Sequence, residues 1–591
     1  MLGRGAEAAE PGDPIEGLCL SERVAHGSMI EIGYHVSMRT HFHGGPAGVS
    51  VLVMRPGEAC RTDATTRRRE PTMTEFTLDR RKFLAGGAAG GLAALLPIDL
   101  LHAQPNNGKT LTVVLPSNPI TVDPINQLNH DAMVLGQTVF ENLVEYDLDG
   151  VLKPQLAKAL PTISADKKTY VFELRDDVTF QNGKKMTAED VKYSFDYLLD
   201  ANNKAARRSL FTRITKVTVL EPYRVQFDLS EPYGPWLYFL TKYMGIFPVG
   251  SRQEHGDAYF KSSPKGVGTG FGIFEDWKPN DSITFVKNPN YWRKGLPHWD
   301  RLVVKMIPED ATRVAYLLTG QVDVISAPPP REFNKLKTLP GVTGASRPTL
   351  GGALLMYTNT LKPPLDDVNF RKAIACAIDR KTIGDKVYYG LLDPSSVPAP
   401  PRGWWFNAAA DKELGYDLER AKAYLAKSKY PTGAEIDLSI QAEPYLLDTK
   451  DAAIFVQAQL AKIGIKVNLK VYEFSVLIQQ AIRGEHQMAL QVFMSPGEPS
   501  YILQVCLTPD QVLSKSTGYN NPELNGLLAK AFAETDQDKL KDIYGAIQTI
   551  VARDAPIGVL GYVHAANLWR PTVENFKVNQ GLTISVGEVK V

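Results

Sequence analysis

The pattern of apolar and polar positions predicts alternating strands and helices from Thr110 onward. Thr110 begins the β-branched run TLTVVLP, which predicts a short buried strand stopped by Pro116. In KKTYVFELRD, the residues Tyr170, Phe172 and Leu174 take every second position, the period of a strand with one buried face. Between these strands, DAMVLGQTVFENLVEYDLDG has apolar residues near helical spacing and predicts a helix followed by a turn.

Helices and strands keep alternating toward the C-terminus. Thr187 is predicted to cap a helix, with Asp190 three residues later as its reciprocal partner. The strand RLVVKMIP, the helix DATRVAYLL ended by Gly320, and the strand VDVIS make a β-α-β unit. A second α/β region contains the helix AAIFVQAQLAKIG and the strands IKVNLKVY and MALQVFM. The pattern therefore predicts a multi-lobed α/β protein.

One apolar stretch near the N-terminus, DRRKFLAGGAAGGLAALLPIDLLHAQ, departs from this pattern. A membrane-spanning helix needs about 20 predominantly apolar residues, whereas the apolar part of this stretch, Phe83 to Ile98, is shorter and is interrupted by glycines and Pro97. The basic residues Arg80, Arg81 and Lys82, a modest apolar core and the small residue Ala103 follow the order of a signal peptide. The paired arginines before Phe-Leu also resemble the twin-arginine export motif. A buried Gly/Ala-rich helix is the alternative, but the ordered layout favours export.

This interpretation assigns a compartment and divides the chain. We expect residues 73–103 to be a twin-arginine signal peptide, recognised by the twin-arginine translocase and cleaved near Ala103, which places the mature protein in the periplasm. Residues 1–72 are rich in Gly, Arg, Glu and Pro and have little periodicity. They are predicted to be disordered or a non-native extension before a true start at Met73. The histidines and cysteines scattered there have no tight metal-ligand spacing.

Composition limits the partners of the mature protein. The chain has 66 Lys+Arg against 65 Asp+Glu, so nothing indicates binding to nucleic acid or to a membrane surface. Only Cys376 and Cys506 lie beyond the predicted cleavage site, which is too few for a disulfide scaffold, although one bridge between them stays open. No cysteine directly follows the cleavage site, so the lipid-anchoring pattern of exported lipoproteins is absent. We also expect the mature protein to be a monomer.

The sequence lacks the common catalytic motifs. It contains no HExxH, GxSxG or GxxxxGK[ST] pattern. The glycine-rich segment GVGTGFG precedes a strand-like segment, which is typical of a turn and not of a phosphate-binding loop. The histidines beyond the predicted cleavage site are far apart and have no metal-ligand spacing. Nothing positive in the sequence supports an enzyme, and we expect no catalytic residue, metal or cofactor.

Three blocks of sequence carry a family resemblance. The first is LKPQLAKALPTISADKKTYVFELRDDVTFQNGKKMTAEDVKYSFDYLL, and the second is GVGTGFGIFEDWKPNDSITFVKNPNYW followed by LLTGQVDVI. The third joins FRKAIACAIDRKTI, YDLERAKAYLAKSKYPTG and LAKIGIKVNL. In this order they resemble the extracellular solute-binding proteins of family 5, which include the periplasmic dipeptide-, oligopeptide- and nickel-binding proteins of ABC importers.

The resemblance implies an α/β fold of the type II periplasmic-binding-protein kind: a two-lobed clamp with a hinge and an additional third domain. By analogy, lobe I is assembled from residues 104–150, 260–356 and 557–591, the extra domain is 151–259, and lobe II is 357–556. The implied function is to capture a peptide-like or other small organic solute between the lobes and deliver it to the membrane permease of an ABC importer. A nickel, haem or metal-chelate carrier, or a periplasmic enzyme on the same scaffold, is the alternative.

The resemblance also implies where the solute binds. Peptide-binding members hold the ligand's ammonium with an aspartate in a Gly-Trp-x-x-Asp loop, and here the matching stretch is QVFMSPGEPSYIL, with Ser495 at the aspartate position. Either Glu498 takes the place of that aspartate, or the ligand has no free α-ammonium. We favour the second alternative. The paired tryptophans and the residues near the hinge are alternatively packing residues, and His130 is alternatively a nickel or haem ligand. The predicted ligand-binding residues are Asn129, His130, Ser326, Tyr357, Asn359, Trp404, Trp405, Phe493, Ser495 and Glu498.

Overall fold

The computed structural model describes residues 36–41, 48–53 and 108–591, with gaps at 128–129, 149, 443–448, 496, 510, 512, 535 and 581–583. The chain divides into two compact units, Met1–Gln104 and Pro105–Val591. In the first unit, strands β1 (Val36–His41) and β2 (Gly48–Val53) pair antiparallel. Whether residues 1–72 are a non-native or disordered extension stays a prediction. The predicted signal peptide, residues 73–103, lies outside the described residues.

The second unit alternates strands and helices, as the sequence pattern predicts. Its strands are β3 Thr110–Leu115, β4 Val144–Tyr146, β5 Leu152–Pro154, β6 Thr162–Ile163, β7 Thr169–Glu173, β8 Ile214–Glu221, β9 Arg224–Leu229, β10 Gly272–Lys278, β11 Ser282–Lys287, β12 Arg301–Met306, β13 Val324–Ser326, β14 Thr343–Thr358, β15 Leu392–Pro394, β16 Glu435–Gln441, β17 Lys466–Tyr472, β18 Met488–Met494 and β19 Ile557–Trp569.

The helices of this unit range from single turns to eighteen residues. They are α1 His130–Val139, α2 Ala188–Leu199, α3 Trp236–Phe239, α4 Ser251–Ser262, α5 Asp310–Leu318, α6 Pro330–Leu336, α7 Val368–Ala377, α8 Arg380–Thr382, α9 Ala408–Glu413, α10 Leu418–Lys427, α11 Lys450–Ala461, α12 Phe474–Arg483, α13 Ser500–Leu507, α14 Ser514–Thr517, α15 Pro522–Ala533 and α16 Gln537–Asp554. None of the described helices combines the length and the hydropathy that crossing a membrane requires.

One large sheet runs through the second unit in the order β10-β11-β12-β3-β13-β19-β14-β18-β16-β17, with β15 also paired to β19. The strands β10 to β13 and β3 form one end, which we name half-sheet A. The strands β16 to β18 form the other end, half-sheet B. Strand β3 is parallel to both β12 and β13, and α5 connects the latter two, which confirms the predicted β-α-β unit.

Two long strands, β14 and β19, connect the half-sheets. Thr343 to Pro348 of β14 pair with the end of β19 beside half-sheet A, and Ala353 to Tyr357 pair with its beginning beside half-sheet B. Between Pro348 and Ala353 the pairing shifts register. The pairing shifts register again between Leu354 and Leu355, so the ladder of β14 and β19 is irregular at two places.

A separate four-stranded sheet, in the order β6-β7-β9-β8, packs against α2. Thr187 and Asp190 form the capping box at the start of α2, as predicted, and Asp190 accepts a hydrogen bond from the Thr187 backbone N–H at 2.9 Å. The aromatic core beneath the sheet includes Phe195 and Phe227, whose ring centroids lie 4.8 Å apart, and Trp236 of α3. This core fixes α3 to the small sheet.

The cysteines of the second unit do not form a disulfide. Cys376 of α7 and Cys506 of α13 are both free thiols and both buried. Burial raises the pKa of each thiol, because a thiolate is poorly solvated in an apolar interior. The bridge that the sequence left open is therefore absent between these two residues.

Candidate functional site

An aromatic-rich segment connects the small sheet to the helices that follow half-sheet B. Residues 233–243 contain five aromatic side chains and include α3. The Tyr233 hydroxyl donates a hydrogen bond to Gln504 Oε1 of α13 at 2.8 Å. The Tyr233 ring meets Phe532 of α15 edge to face, with centroids 4.9 Å apart. Two parts of the chain that are far apart in sequence therefore meet here.

Tyr501 of α13 is at the centre of this contact. Its ring centroid lies 5.4 Å from Phe239, 6.2 Å from Tyr243 and 5.6 Å from Phe493 of β18. Tyr501 is 5% exposed, so these contacts are buried. Residues of the segment 233–243, of half-sheet B and of α13 therefore line one aromatic interior.

Glu498 lies in this interior, in the loop before α13. It is 5% exposed. Its Oε1 accepts hydrogen bonds from the Ser500 N–H at 3.0 Å and the Tyr544 hydroxyl at 3.2 Å, and its Oε2 accepts one from Ser500 Oγ at 2.5 Å. Burial raises the pKa of Glu498, because the ionised carboxylate loses its hydration. The carboxylate of Glu498 is therefore held in a part of the interior from which water is excluded.

Two further tyrosines face the same point. The rings of Tyr146 at the end of β4 and Tyr238 of α3 lie 6.0 Å apart. Burial raises the pKa of both phenols, and the charge of Glu498 adds to the effect on each. We name Tyr146, Tyr238, Glu498 and Tyr544 the Glu498 cluster. Tyr146 comes from β4, Tyr238 from α3, Glu498 from the loop before α13 and Tyr544 from α16.

Several polar atoms around the cluster have no hydrogen-bond partner among the described residues. They are the Tyr146 hydroxyl, Gln504 Nε2 and Trp405 Nε1, all buried. A buried polar group without a partner costs about 1–3 kcal/mol, so such groups are usually satisfied by a ligand or water. The Glu498 cluster is therefore surrounded by groups that can hydrogen-bond to a bound molecule.

The structure brings five of the ten predicted ligand-binding residues to this interior. Trp404 packs on Tyr544 with centroids 6.1 Å apart, and Trp405 packs on Trp404 at 5.4 Å. Phe493 contacts Tyr501, and Glu498 is the centre of the cluster. Ser495 is buried beside it, and its Oγ accepts a hydrogen bond from the Gly497 N–H at 3.2 Å.

Of three other predicted residues, Tyr357 lies beside this interior and the other two lie elsewhere. Tyr357 is a buried residue of β14 near Cys506 and Tyr501 of α13. Asn359 directly follows the last residue of β14 and lies roughly 20 Å beyond Ala353 of the same strand, at about 3.3 Å per residue. Its Nδ2 donates to the backbone oxygens of residues 484 and 486 at 3.0 and 3.2 Å. Ser326 ends β13 opposite Asn567 in the large sheet.

Two predicted residues precede or begin α1. Asn129 lies outside the described residues, and His130 is the first residue of α1 with a side chain that is not described. In the described part of the chain, no three His, Cys, Asp or Glu side chains are grouped so that they could hold a metal ion. The roles predicted for Asn129 and His130 stay predictions.

Four tyrosines of this interior, 146, 238, 501 and 544, were not predicted from the sequence. One signal was present for Tyr238: it lies in the segment GPWLYFLTKY, which is rich in aromatic residues. Tyr146 and Tyr544 carry no such signal, because each stands alone in an ordinary strand or helix pattern. Only the folded chain brings them to Glu498.

Comparison with known proteins gives one family. A family model described as "Bacterial extracellular solute-binding proteins, family 5 Middle" matches residues 151–512. Heme-binding protein A of Haemophilus influenzae is 30% identical over 452 residues, which cover 71% of this chain and 81% of that protein. The probable D,D-dipeptide-binding periplasmic protein DdpA of Escherichia coli is 28% identical, covering 74% and 86%. The Helicobacter pylori periplasmic binding protein DppA in complex with the peptide STSA has a TM-score of 0.73 and 25% identity, covering 82% and 98%.

Proposed function

The chain belongs to the bacterial extracellular solute-binding proteins of family 5, and on that premise we propose that it is the periplasmic substrate-binding component of an ABC importer. It captures a peptide-like or other small organic solute and delivers it to the membrane permease. The observation that carries this proposal is the Glu498 cluster, a buried carboxylate enclosed by tyrosines from distant parts of the chain. Interiors formed between lobes are where small-molecule sites concentrate.

The two connecting strands supply the hinge in this proposal. Half-sheets A and B are joined by β14 and β19 alone among the large-sheet strands, and their ladder is interrupted between Pro348 and Ala353. A rotation there would open the interior around Glu498 to solvent. Closure would bury the solute and present the permease with a surface that differs from that of the open form.

The hydrogen bonds of Glu498 indicate what part of the solute it meets. A carboxylate has about four acceptor positions, and three of those at Glu498 are taken by Ser500 and Tyr544. One position is left for a donor of the solute, either an ammonium or an N–H group. A peptide-like solute satisfies this requirement whether or not its α-amine is free.

A thermal-shift screen coupled to mass spectrometry tests the proposal. The purified mature protein is analysed for co-purified solutes by native mass spectrometry, and then mixed with dipeptides, tripeptides and sugar acids. A solute at 100 times its Kd should stabilise the fold by about 2.7 kcal/mol, with no chemical change in the solute. Turnover of a stabilising solute would contradict a pure binding role.

One finding favours a second candidate, a carrier of haem or a metal chelate. The relative in Haemophilus influenzae that is 30% identical is named a heme-binding protein. Haem and nickel–histidine therefore belong in the same screen. A Soret band that persists after gel filtration, without stabilisation by any peptide, would replace the peptide-like solute by haem.

We also propose export through the twin-arginine translocase, with cleavage near Ala103. The order of Arg80, Arg81, the apolar core and Ala103 supports it. Replacing both arginines by lysine should leave the precursor in the cytoplasm, whereas the unaltered chain should yield a periplasmic form that begins near Gln104. Periplasmic export of the double variant at the normal rate would contradict this route.

A further inference from the structure

One ion pair lies where the two connecting strands shift register. His564 of β19 pairs with Pro348 of β14 beside half-sheet A. The next pair along the ladder joins Tyr562 to Ala353, beside half-sheet B. Asp393 of β15 pairs with Tyr562 in the sheet, and its Oδ1 lies 3.1 Å from His564 Nε2. The imidazole and the carboxylate are therefore carried by chain segments on opposite sides of the hinge.

The residues before β15 hold His564 together with half-sheet A. Leu391 is 4% exposed and packs with apolar residues of α6 and of the end of β19. Its backbone oxygen accepts a hydrogen bond from the His564 N–H at 2.9 Å. Asp393 and Pro394, by contrast, pair with the part of β19 beside half-sheet B. A rotation at the hinge therefore moves the Asp393 carboxylate relative to the His564 imidazole.

Both side chains are largely shielded from water. The side chain of His564 is 11% exposed and that of Asp393 is 24% exposed. Arg402, in the loop after β15, lies 3.5 Å from the second Asp393 oxygen, but its side chain is 69% exposed. His564 lowers the pKa of Asp393 and Arg402 adds to the effect, although partial burial opposes it. Asp393 therefore stays ionised at any pH at which the fold is stable.

The other segments that pack against His564 present uncharged groups. β14 presents Pro348, and the segment before β15 presents Leu391. Arg347, one residue before Pro348, donates instead to a backbone oxygen of the loop after β4 at 3.0 Å. Within the described ranges, Asp393 is the only ion-pair partner of His564. Histidine side chains gain or lose their charge between pH 5 and 8, so the strength of this pair depends on pH.

We propose that the Asp393–His564 pair is a pH-sensitive lock on the hinge, which holds the enclosed form when His564 is protonated. In acid, the imidazolium and the carboxylate attract each other in the enclosed form, and rotation at the hinge separates them. As pH rises and the imidazolium loses its proton, this attraction is lost and the open form becomes more populated. Solute affinity follows the population of the enclosed form. The inference rests on the hinge of the proposed function and adds its control by pH.

The distance between two spin labels tests the lock without any solute. In the mature protein, Lys278 and Lys470, exposed residues of β10 and β17, are replaced by cysteine and labelled, whereas the native Cys376 and Cys506 are buried. Because β10 and β17 are the opposite edges of the large sheet, their separation should change when the hinge rotates. Double electron–electron resonance then measures the ratio of enclosed to open molecules at pH 5 and pH 8.

The wild type should show a ratio about threefold higher at pH 5 than at pH 8, a size typical of a partly exposed ion pair. His564→Gln and Asp393→Asn each remove one charge and keep a polar group, so each should lose this difference. His255→Gln is the matched control, because His255 of α4 also has a carboxylate neighbour, Glu254 at 3.8 Å, outside the connecting strands. It should respond to pH as the wild type does. A response that survives in His564→Gln would overturn the lock.

Two further results keep the test decisive and separate the lock from solute capture. His564→Lys keeps a cation at pH 8, so its ratio there should match that of the wild type at pH 5. A wild-type ratio that does not change with pH would overturn the lock even if a variant fails to fold. If solutes still stabilise the fold in the thermal-shift screen, solute capture stands without the lock. A ratio that responds to pH in a protein that no screened solute stabilises would support the lock and overturn solute capture.

Discussion

Two buried carboxylates, Glu141 and Glu498, differ in the groups that hold them. Glu141 lies before β4 and accepts hydrogen bonds from Thr269 Oγ1 at 2.8 Å, the Tyr291 hydroxyl at 2.8 Å and Trp292 Nε1 at 2.9 Å. Burial outweighs these bonds and raises the pKa of Glu141 to about 7. The hydrogen bonds of Glu141 are therefore part of the packing of the fold. Glu498, by contrast, is surrounded by polar groups that can hydrogen-bond to a solute.

The raised pKa of Glu141 predicts a pH dependence of stability. The folded state holds a proton that the unfolded state releases near pH 4.5, so the stability from this group is complete below pH 4.5 and is lost as pH rises toward about 7. The loss is on the order of 3 kcal/mol. Glu141→Gln should flatten this dependence in urea unfolding at pH 5 and pH 8. The exposed Glu419→Gln should retain it, and an unchanged slope in Glu141→Gln would contradict the assignment.

At Glu498, a glutamine tests the role of the charge. Glu498→Gln can keep the hydrogen bonds with Ser500 and Tyr544, so the unliganded fold should keep its Tm. A hydrogen bond to a charged group contributes about 1.5–3 kcal/mol, so solute affinity should fall roughly 10- to 100-fold in calorimetry. Full affinity for a dipeptide in this variant would mean that Glu498 does not replace the family's aspartate.

At the scale of elements, the two connecting strands pass very close to the loop that carries Ser495. The Ser495 N–H donates to Gly351 O at 2.8 Å. A Cβ atom at position 351 would lie 2.1 Å from Ser495 O, nearer than any side chain tolerates. Thr349 Oγ1 also donates to Val563 O of β19 at 2.8 Å. The interruption of the ladder is thus a tightly packed crossing and not a loose loop.

An alanine at this crossing should disturb it. Gly351→Ala forces the backbone at Ser495 to move, which should lower the free energy of unfolding by about 1–3 kcal/mol and weaken solute binding. Gly526 of α15 is the matched control, because a Cβ there meets nothing within 4 Å. Gly526→Ala should stabilise the helix by up to about 1 kcal/mol. Equal effects of the two alanines in urea unfolding would contradict the tight crossing.

For the whole molecule, the aromatic segment 233–243 is the contact that holds the small sheet against α13 and α15. Tyr233 contributes one hydrogen bond to Gln504 and one edge-to-face contact to Phe532. The guanidinium of Arg213 lies 4.2 Å above the Tyr233 ring. This contact stabilises the enclosed form, in which the interior around Glu498 is closed. The apparent affinity for a solute depends on the fraction of the protein that is in this form.

Removing the hydroxyl of Tyr233 should lower the population of the enclosed form. Tyr233→Phe retains the ring contacts but leaves Gln504 Oε1 buried without its donor, which costs the enclosed form about 1–3 kcal/mol. The apparent Kd should rise roughly 5- to 150-fold, as measured by calorimetry. Tyr197→Phe, which removes a hydroxyl bound to Asp257 away from this contact, should leave affinity unchanged. The same Kd in wild type and Tyr233→Phe would contradict a role for this contact in closure.

The sequence allowed the local parts of this architecture to be predicted, because they depend on neighbours along the chain. The strand at Thr110, the capping pair of Thr187 and Asp190 and the β-α-β unit are examples. The resemblance pointed to the loop of Glu498. The tyrosines around Glu498 could not be predicted, because they are separated from it by up to several hundred residues and meet only through tertiary packing.

The route of the chain through the large sheet also affects its synthesis. Strand β3 is among the first strands of half-sheet A, yet β19, which joins that half-sheet through β13, is the last strand to be made. A ribosome that adds ~5–20 residues per second needs roughly half a minute or more to travel from one to the other. All strands of half-sheet A are made by Ser326, but its β13 edge stays without its neighbour β19 until the end of translation, and an unpaired strand edge promotes pairing with other chains.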